Sequence, residues 1–297
     1  MSTSDKSYKW VLRKGSRKEV CPACGQRRFV PYVSAVDGVT LAGPEYGRCD
    51  REQHCGYIKY PTANPDATLY DALNLKQSEP KPPMRIDNGV VDALRPVPPL
   101  FVAWMGGLLT KEQIERAACL YELGGYRQRV VFLQRGYDGE IHAGKLIEYK
   151  ANGHRNKDAF PPVQWLHKVR DFAPYVRGEE LEQCFFGEWL LSLTDRPVAI
   201  VESEKTAIIL SQLQPSAVWI ASGGSQGLKR LQDRECLKGR NVLLVPDNGC
   251  YWEWRGIADA HGWDTWDGCE RNSVFDGCDI LDIIESKKKR NETERYI

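Results

Sequence analysis

VAIVESEKTAIILSQL, residues 198–213, passes from four apolar residues through Glu-Ser-Glu-Lys into apolar positions at helical spacing. A short β-branched run that gives way at once to a helical one reads as a buried strand turning into a helix, whose N-terminus favours acidic side chains. The alternation recurs downstream in SAVWIAS, GLKRLQDREC, NVLLVPD and CYWEWRGIADAHG. Strands alternating with helices imply an α/β fold with a sheet of mainly parallel strands, and such sheets bind ligands at the carboxyl ends of their strands. Glu202 ends the first of these strands, Asp247 ends NVLLVPD, and GCDILDII sets Asp279 and Asp282 before a closing helix. Carboxylates converging there repel one another unless a cation neutralises them, and Mg2+ takes oxygen ligands of this kind.

The chain upstream has a different character. Overall, 41 basic and 40 acidic residues nearly cancel across 297 positions, so net charge names no partner. Charge is regional instead. Residues 1–62 hold eleven Lys and Arg against six Asp and Glu, residues 127–170 nine against four, and residues 179–285 nine against nineteen.

Cys21 and Cys24 form a CxxC followed by glycine, and Cys49 and Cys55 supply a second, wider pair. Four thiolates satisfy a tetrahedral structural zinc and leave no open position for chemistry. With the strand-like RRFVPYVSA and YGRC beside them, residues 1–62 read as a zinc ribbon, His54 being the alternative ligand to Cys55. Cys119, Cys184, Cys236, Cys250, Cys269 and Cys278 are scattered and read as small buried apolar residues. Arg27, Arg28, Arg48, Arg51 and Lys59 accompany Phe29, Tyr32, Tyr46 and Tyr57. Such a set can hold phosphates while its rings stack on bases of single-stranded nucleic acid; a solvated basic face over core aromatics is the other reading.

Eight prolines between Pro61 and Pro99 mark residues 63–99 as a linker, with a short helix around ATLYDALNL. Beyond it, LLTKEQIERAACLYELGGY offers a capping box at Thr110 and Gln113 and a Gly124-Gly125 stop. RVVFLQRGYDGEIHAGKLIEYK predicts a hairpin around Asp138-Gly139. Residues 100–178 therefore form a basic α+β subdomain ahead of the α/β region at 179–290. No apolar run reaches the roughly 18 residues of a membrane span, and the polar N-terminus lacks a signal peptide's apolar stretch, so a soluble cytoplasmic protein is expected.

IVESEKTA, ASGGSQGL and LLVPDNG resemble the glutamate, glycine and aspartate motifs of the Toprim domain shared by topoisomerases, bacterial primases and some nucleases. Through GRCDREQHCGY, GKLIEYKANGHRNKD, CFFGEWLL and VPDNGCYWEW the chain as a whole resembles a group of Toprim proteins carried by phages, plasmids and mobile elements of Bacteroides-type bacteria. Its order of zinc ribbon, linker, basic hairpin subdomain and Toprim region resembles that of bacterial and phage primases. No Walker A sequence GxxxxGK[ST] occurs, so a helicase motor would be a separate protein.

The resemblance implies a DNA-binding, primase-like nucleotidyl or phosphoryl transferase of a mobile element. Its partners would be single-stranded DNA, nucleotides and a separate helicase or replication protein. Glu202 would bind Mg2+ or Mn2+ or act as acid/base, and Asp247 would be the first aspartate of the family's DxD, whose second place is Gly249 here. Asp279 or Asp282 would then complete the metal site. Lys205 would touch a phosphate, unless it is a surface lysine, and Lys145, Arg155 and Lys157 would guide phosphates. A Toprim nuclease, or a non-catalytic single-stranded nucleic-acid-binding accessory protein with a degenerate site, are the alternatives; Gly249 favours the second.

Overall fold

The computed structural model of the chain describes residues 9–15, 17–51, 55–61, 82–224 and 226–294, with the backbone alone for 289–294. The expected helix around ATLYDALNL and the alternative ligand His54 lie outside the described residues. The chain divides into two compact units, Met1–Pro80 and Lys81–Ile297.

The first unit is a four-stranded antiparallel sheet in sequence order, β1 (Trp10–Leu12), β2 (Phe29–Ser34), β3 (Gly47–Cys49) and β4 (Ile58–Lys59). Its centre is small: Cys21, Phe29 and Cys49 are buried, with Cys24, Cys55 and Tyr57 packed against them. Phe29 and Tyr57 meet edge to face at 6.0 Å. These two rings, expected among the base-stacking candidates, are instead part of the core. Tyr32 lies three residues from Phe29, hence on the opposite face of β2, where its ring approaches Tyr60 at 6.0 Å.

The second unit begins with a six-stranded antiparallel sheet. Its strands are β5 (Arg85–Ile86), β6 (Gly124–Tyr126), β7 (Arg129–Arg135), β8 (Ile141–Glu148), β9 (Val163–Trp165) and β10 (Val176–Arg177). They run in the order β10-β5-β8-β7-β6, with β9 also paired to β8. The β7–β8 hairpin stands where Asp138-Gly139 predicts it. Three helices are interposed, α1 (Gly89–Ala93), α2 (Pro99–Gly106) and α3 (Lys111–Leu120). The capping box at the start of α3 is complete: Gln113 N donates to Thr110 Oγ1 at 3.3 Å and Thr110 N to Gln113 Oε1 at 2.8 Å.

Two expectations need correction here. Residues 85–93, read as linker, form β5 and α1 because Ile86 and Val90 are buried beneath the sheet with Val131, Leu133, Leu166 and Phe172. Gly124 and Gly125, read as a helix stop, form the edge strand β6. A Cβ at Gly124 would meet the Leu94 side chain at 2.6 Å and one at Gly125 the Pro96 carbonyl at 2.4 Å, so glycine lets the strand lie flush against 94–96.

The alternation along β7 distributes its side chains to two cores. Val131 and Leu133 face the cluster just named, whereas Val130 and Phe132 face α2, α3 and a second sheet. That second sheet is the expected parallel one, of four strands: β11 (Val198–Val201), β12 (Val218–Ala221), β13 (Val242–Val245) and β14 (Asp264–Thr265), ordered β12-β11-β13-β14. Five helices accompany it, α4 (Glu204–Leu213), α5 (Gly227–Leu231), α6 (Tyr251–His261), α7 (Gly268–Arg271) and α8 (Ile280–Glu294). VAIV and VWIA are buried at every residue, as strands covered on both faces must be.

One apolar cluster runs from Phe101 and Phe132 through Phe186 to Val198, Leu244 and Leu281. The Tyr121 hydroxyl donates to Trp219 O at 2.7 Å, and Phe186 bridges to Ala221. The boundary expected at 178/179 thus falls inside a shared core. Among the described residues no helix is long and apolar enough to cross a membrane.

Candidate functional site

In the first unit two tight turns present the thiols. Gly25 N donates to Cys21 O at 2.9 Å and Cys55 N to Arg51 O at 2.7 Å, and each turn closes on a glycine in the left-handed region, Gly25 (φ +67°) and Gly56 (φ +63°). The Sγ atoms of Cys21, Cys24, Cys49 and Cys55 all lie within 4.8 Å of one another. Four converging thiols in this compass fit a tetrahedral zinc. The backbone N–H of Gln26 draws the Cys24 thiol down to about 7, whereas burial pushes the Cys49 thiol up to about 11, so the thiols of the cluster carry unequal thiolate character without a cation. Arg27 and Arg28 stand exposed beside the first knuckle. Of the remaining cysteines, Cys184, Cys269 and Cys278 are buried as expected; Cys236 and Cys250 are half-buried, and Cys119 is exposed on α3.

In the second unit a cleft of about 500 Å³ opens beyond the carboxyl ends of the parallel strands. From β11 the chain crosses to β12 on one side and then to β13 on the other, which makes β11/β13 the switch point of the sheet. Glu202 follows β11 there and Asp247 follows β13. Both line the cleft, together with Asp279, Asp282, Lys145, Lys205, Arg155 and Lys157. The sequence-predicted residues of this unit therefore share one cavity.

Their states differ. Asp279 and Asp282 cap α8 reciprocally: Asp282 N donates to Asp279 Oδ1 at 3.1 Å and Asp279 N to Asp282 Oδ2 at 2.9 Å. The free oxygen of Asp279 pairs with Lys205 Nζ at 3.2 Å, and that of Asp282 lies 3.7 Å from His154 Nε2. Glu202 and Asp247 have no such partner among the described residues. Glu202 Oε1 is buried without a hydrogen bond. Burial pushes the Glu202 carboxyl up, and burial with the neighbouring charges of Glu202 and Asp279 pushes Asp247 up to about 9 against the opposing pull of Lys205.

Buried carboxyl oxygens crowded enough to retain a proton when no cation is present suit a hard cation that displaces it. Among the described residues, however, the four cysteines are the group whose ligand atoms gather within 4.8 Å; the carboxylates form no closed cage. They leave room for water or phosphate oxygens, the manner in which Mg2+ is usually held.

Two lysines are placed otherwise than expected. Lys205, weighed as a surface residue, is 8 % exposed, paired with Asp279 and set 5.4 Å over the Trp104 ring. Lys145, expected to guide phosphates, is 5 % exposed and donates to Glu204 Oε1 and Gly223 O, both at 2.8 Å. Its charge is spent on joining β8 to α4 and the glycine loop. A Cβ at Gly223 would sit 2.2 Å from Lys145 Nζ, so glycine at this position admits the contact. Arg155 and Lys157 remain exposed, with no acidic partner among the described residues.

Gly249, which the Toprim resemblance would set in the second place of a DxD, lies at φ +89° and donates its N–H to Glu270 Oε1 at 2.7 Å. Pattern alone does not single out Glu270, Asn248 or residues 272–277. The exposed apolar pair Val274-Phe275 amid polar residues is the available signal.

A family model described as a domain of unknown function, DUF6371, matches residues 100–248, half of the chain. The chain belongs to this family. In this DUF6371 protein the match takes in Lys145, Glu202, Lys205 and Asp247 and stops short of Phe275 and Asp279. A zinc beta-ribbon finger family matches residues 8–68, which contain the four cysteines.

Among solved structures, the primase fragment of the bacteriophage T7 primase-helicase is 14 % identical, with 86 % of this chain and 89 % of that chain covered and a TM-score of 0.37. A bacteriophage T7 complex of lagging-strand DNA polymerase with primase domains bound to an RNA/DNA hybrid and dTTP gives 13 % identity, 62 % and 84 % coverage and a TM-score of 0.36. The Aquifex aeolicus primase, zinc-binding and RNA polymerase domains, gives 13 % identity, 94 % and 79 % coverage and a TM-score of 0.31. No curated protein matches the chain.

Proposed function

We propose that the second unit performs primase-like, divalent-cation-dependent nucleotidyl or phosphoryl transfer on DNA, with the zinc ribbon holding single-stranded template. The observation that carries this reading is the pair Glu202 and Asp247, set at the switch point of a parallel sheet without an ion-pair partner among the described residues, in a cleft whose exposed cations include Arg155, Lys157 and Arg230. The motifs around these residues resemble Toprim motifs, which favours the same chemistry.

Bound Mg2+ or Mn2+ would stabilise charge developing on the transferring phosphoryl group. Glu202 and Asp247 would hold the cation, and Glu202 would be placed to accept a proton from the attacking hydroxyl. Arg155 and Lys157 would orient phosphates, while Lys205, steadied by Asp279 and Trp104, would place a fixed positive charge on the cleft wall. Lys145 would act indirectly by fixing the glycine loop. The setting would be the cytoplasm of a bacterium carrying the mobile element, with a separate helicase or replication protein as partner.

Gly249 favours a second reading, that of a non-catalytic accessory protein, because the place of the second aspartate serves the loop instead of a cation. A nuclease would use the same carboxylates with water as nucleophile. Purified protein, single-stranded DNA, labelled nucleotides and Mg2+ or Mn2+, scored for both extension and cleavage, separate the three. Extension is expected, and Glu202→Gln and Asp247→Asn should each abolish it while zinc content and DNA binding persist. Activity surviving both substitutions would place the chemistry elsewhere. Salt-dependent DNA binding that is weakened by Arg27→Glu with Arg28→Glu, without any product, would leave the accessory reading standing.

A further inference from the structure

Phe275 lies in the loop between α7 and α8, lines the cleft and is 49 % exposed. The loop is tied to the segment that carries Asp247. Gly277 N donates to Asn248 Oδ1 at 3.1 Å, Asn248 N donates to Cys278 O at 2.9 Å, and Asn248 Nδ2 reaches Glu270 Oε2 at 3.0 Å. Phe275 is thereby held in a defined position relative to the carboxylates.

Its ring is open, unlike those of Trp165 and Tyr149 in the same cleft. Trp165 has Lys145 Nζ at 5.6 Å over its face and His167 stacked at 6.1 Å, and Tyr149 is buried. Phe275 meets the half-exposed His154 edge-on, with centroids 6.3 Å apart, and no other ring among the described residues. Arg155 and Lys157 line the same cleft and ask for anionic groups, whereas Glu202 and Asp247 ask for a cation. A ligand that suits all three features has a flat apolar ring joined to a polyanion that carries a divalent cation. A nucleotide has this constitution, and sugar phosphates lack the flat ring.

We infer that Phe275, with His154 at its edge, forms a nucleobase-stacking subsite at the cleft, which deepens the reading of the cleft as a phosphoryl-transfer site and rests on it. The base belongs either to a free nucleoside triphosphate or to a nucleotide of the DNA strand. Aromatic stacking of one base is worth roughly five- to hundred-fold in affinity.

The test is equilibrium binding, in the presence of Mn2+, of ATP, of inorganic tripolyphosphate, and of a single-stranded oligonucleotide with and without abasic positions. The full-length protein is compared with Phe275→Ala, Phe275→Leu and Phe275→Trp. If the base comes from the triphosphate, Phe275→Ala weakens ATP by about five-fold or more and leaves tripolyphosphate unchanged, Phe275→Leu falls between, and Phe275→Trp retains the affinity. If it comes from the strand, the same ordering appears for the oligonucleotide and vanishes with abasic positions. Equal affinity of wild type and Phe275→Ala for both ATP and the oligonucleotide overturns the inference, as does loss of tripolyphosphate binding in parallel with ATP. The carboxylate reading is judged separately: extension or cleavage that is abolished by Asp247→Asn keeps it, even where Phe275→Ala changes nothing.

Discussion

The ribbon and the cleft are both places where several ligand-type side chains face one another, and they resolve the crowding in opposite ways. In the ribbon four thiols close on a common centre within 4.8 Å, and the apolar set buried with them is small, Phe29, Val30 and Val33. In the cleft the carboxylates share a cavity but divide their tasks, Asp279 and Asp282 capping a helix, Glu204 pairing with Lys145, and Glu202 and Asp247 left without ion-pair partners among the described residues, beside a large apolar core. A closed set belongs to a metal that holds the fold together, an open set to one that meets a substrate. The size of the core decides which is tolerated: a unit with a large core can hold unpaired charge, and a unit with a small one cannot.

The largest expected effect breaks the ribbon alone. Cys24→Ser or Cys49→Ser should reduce zinc from about one ion per chain to a trace and unfold the first unit, because so small a unit depends on metal for its structure. Metal analysis and amide exchange check it. Protection lost within residues 1–80 and kept within 81–297 is the expected pattern; full zinc retention in both variants would contradict it.

Next comes the joint between the sheets. Lys145→Met should leave Glu204 buried without a counter-charge and cost the second unit about 3–5 kcal/mol in denaturant unfolding. Adding Glu204→Gln should recover most of the loss, and a double-mutant cycle with no coupling would show the pair to be incidental.

A pH-dependent effect sharpens the contrast. Burial raises Asp247 to about 9, so the native state holds a proton that the unfolded state releases above about 3.8. Stability therefore falls as pH rises through this window. Asp247→Asn should stabilise the protein more at pH 8 than at pH 5, and added Mn2+ should shrink the difference between variant and wild type. An equal gain at both pH values would mean that the charge is not what is being relieved. Chelators are unsuitable for this comparison because they would also strip the ribbon.

What the sequence made legible was local. The Thr110/Gln113 capping box, the hairpin at Asp138-Gly139 and the strand ends at Glu202 and Asp247 each depend on neighbours a few residues apart, and each stands where pattern places it. Illegible were partnerships across long separations. Lys145 looks like a free cation until Glu204, 59 residues away, is brought against it, and Lys205 looks exposed until Trp104 and Asp279 cover it. Gly124 and Gly125 carry a stop signal on their own, and only the approach of Leu94 and Pro96 turns them into a strand. Phe29 and Tyr57 illustrate the same limit, since which face of a short strand lies inward depends on where the thiols meet.

The hydrogen bond from Tyr121 to the carbonyl of Trp219, with the core on either side of it, bears on how this gene can be cut and rejoined. A recombination junction near codon 80 leaves each unit with all of its own interior. One near codon 178 would hand α3 to one product and β12 to another, each with half of a hydrophobic interior bared. Exchange between related genes should accordingly shuffle the ribbon as a cassette and pass everything from β5 to α8 on as a single block.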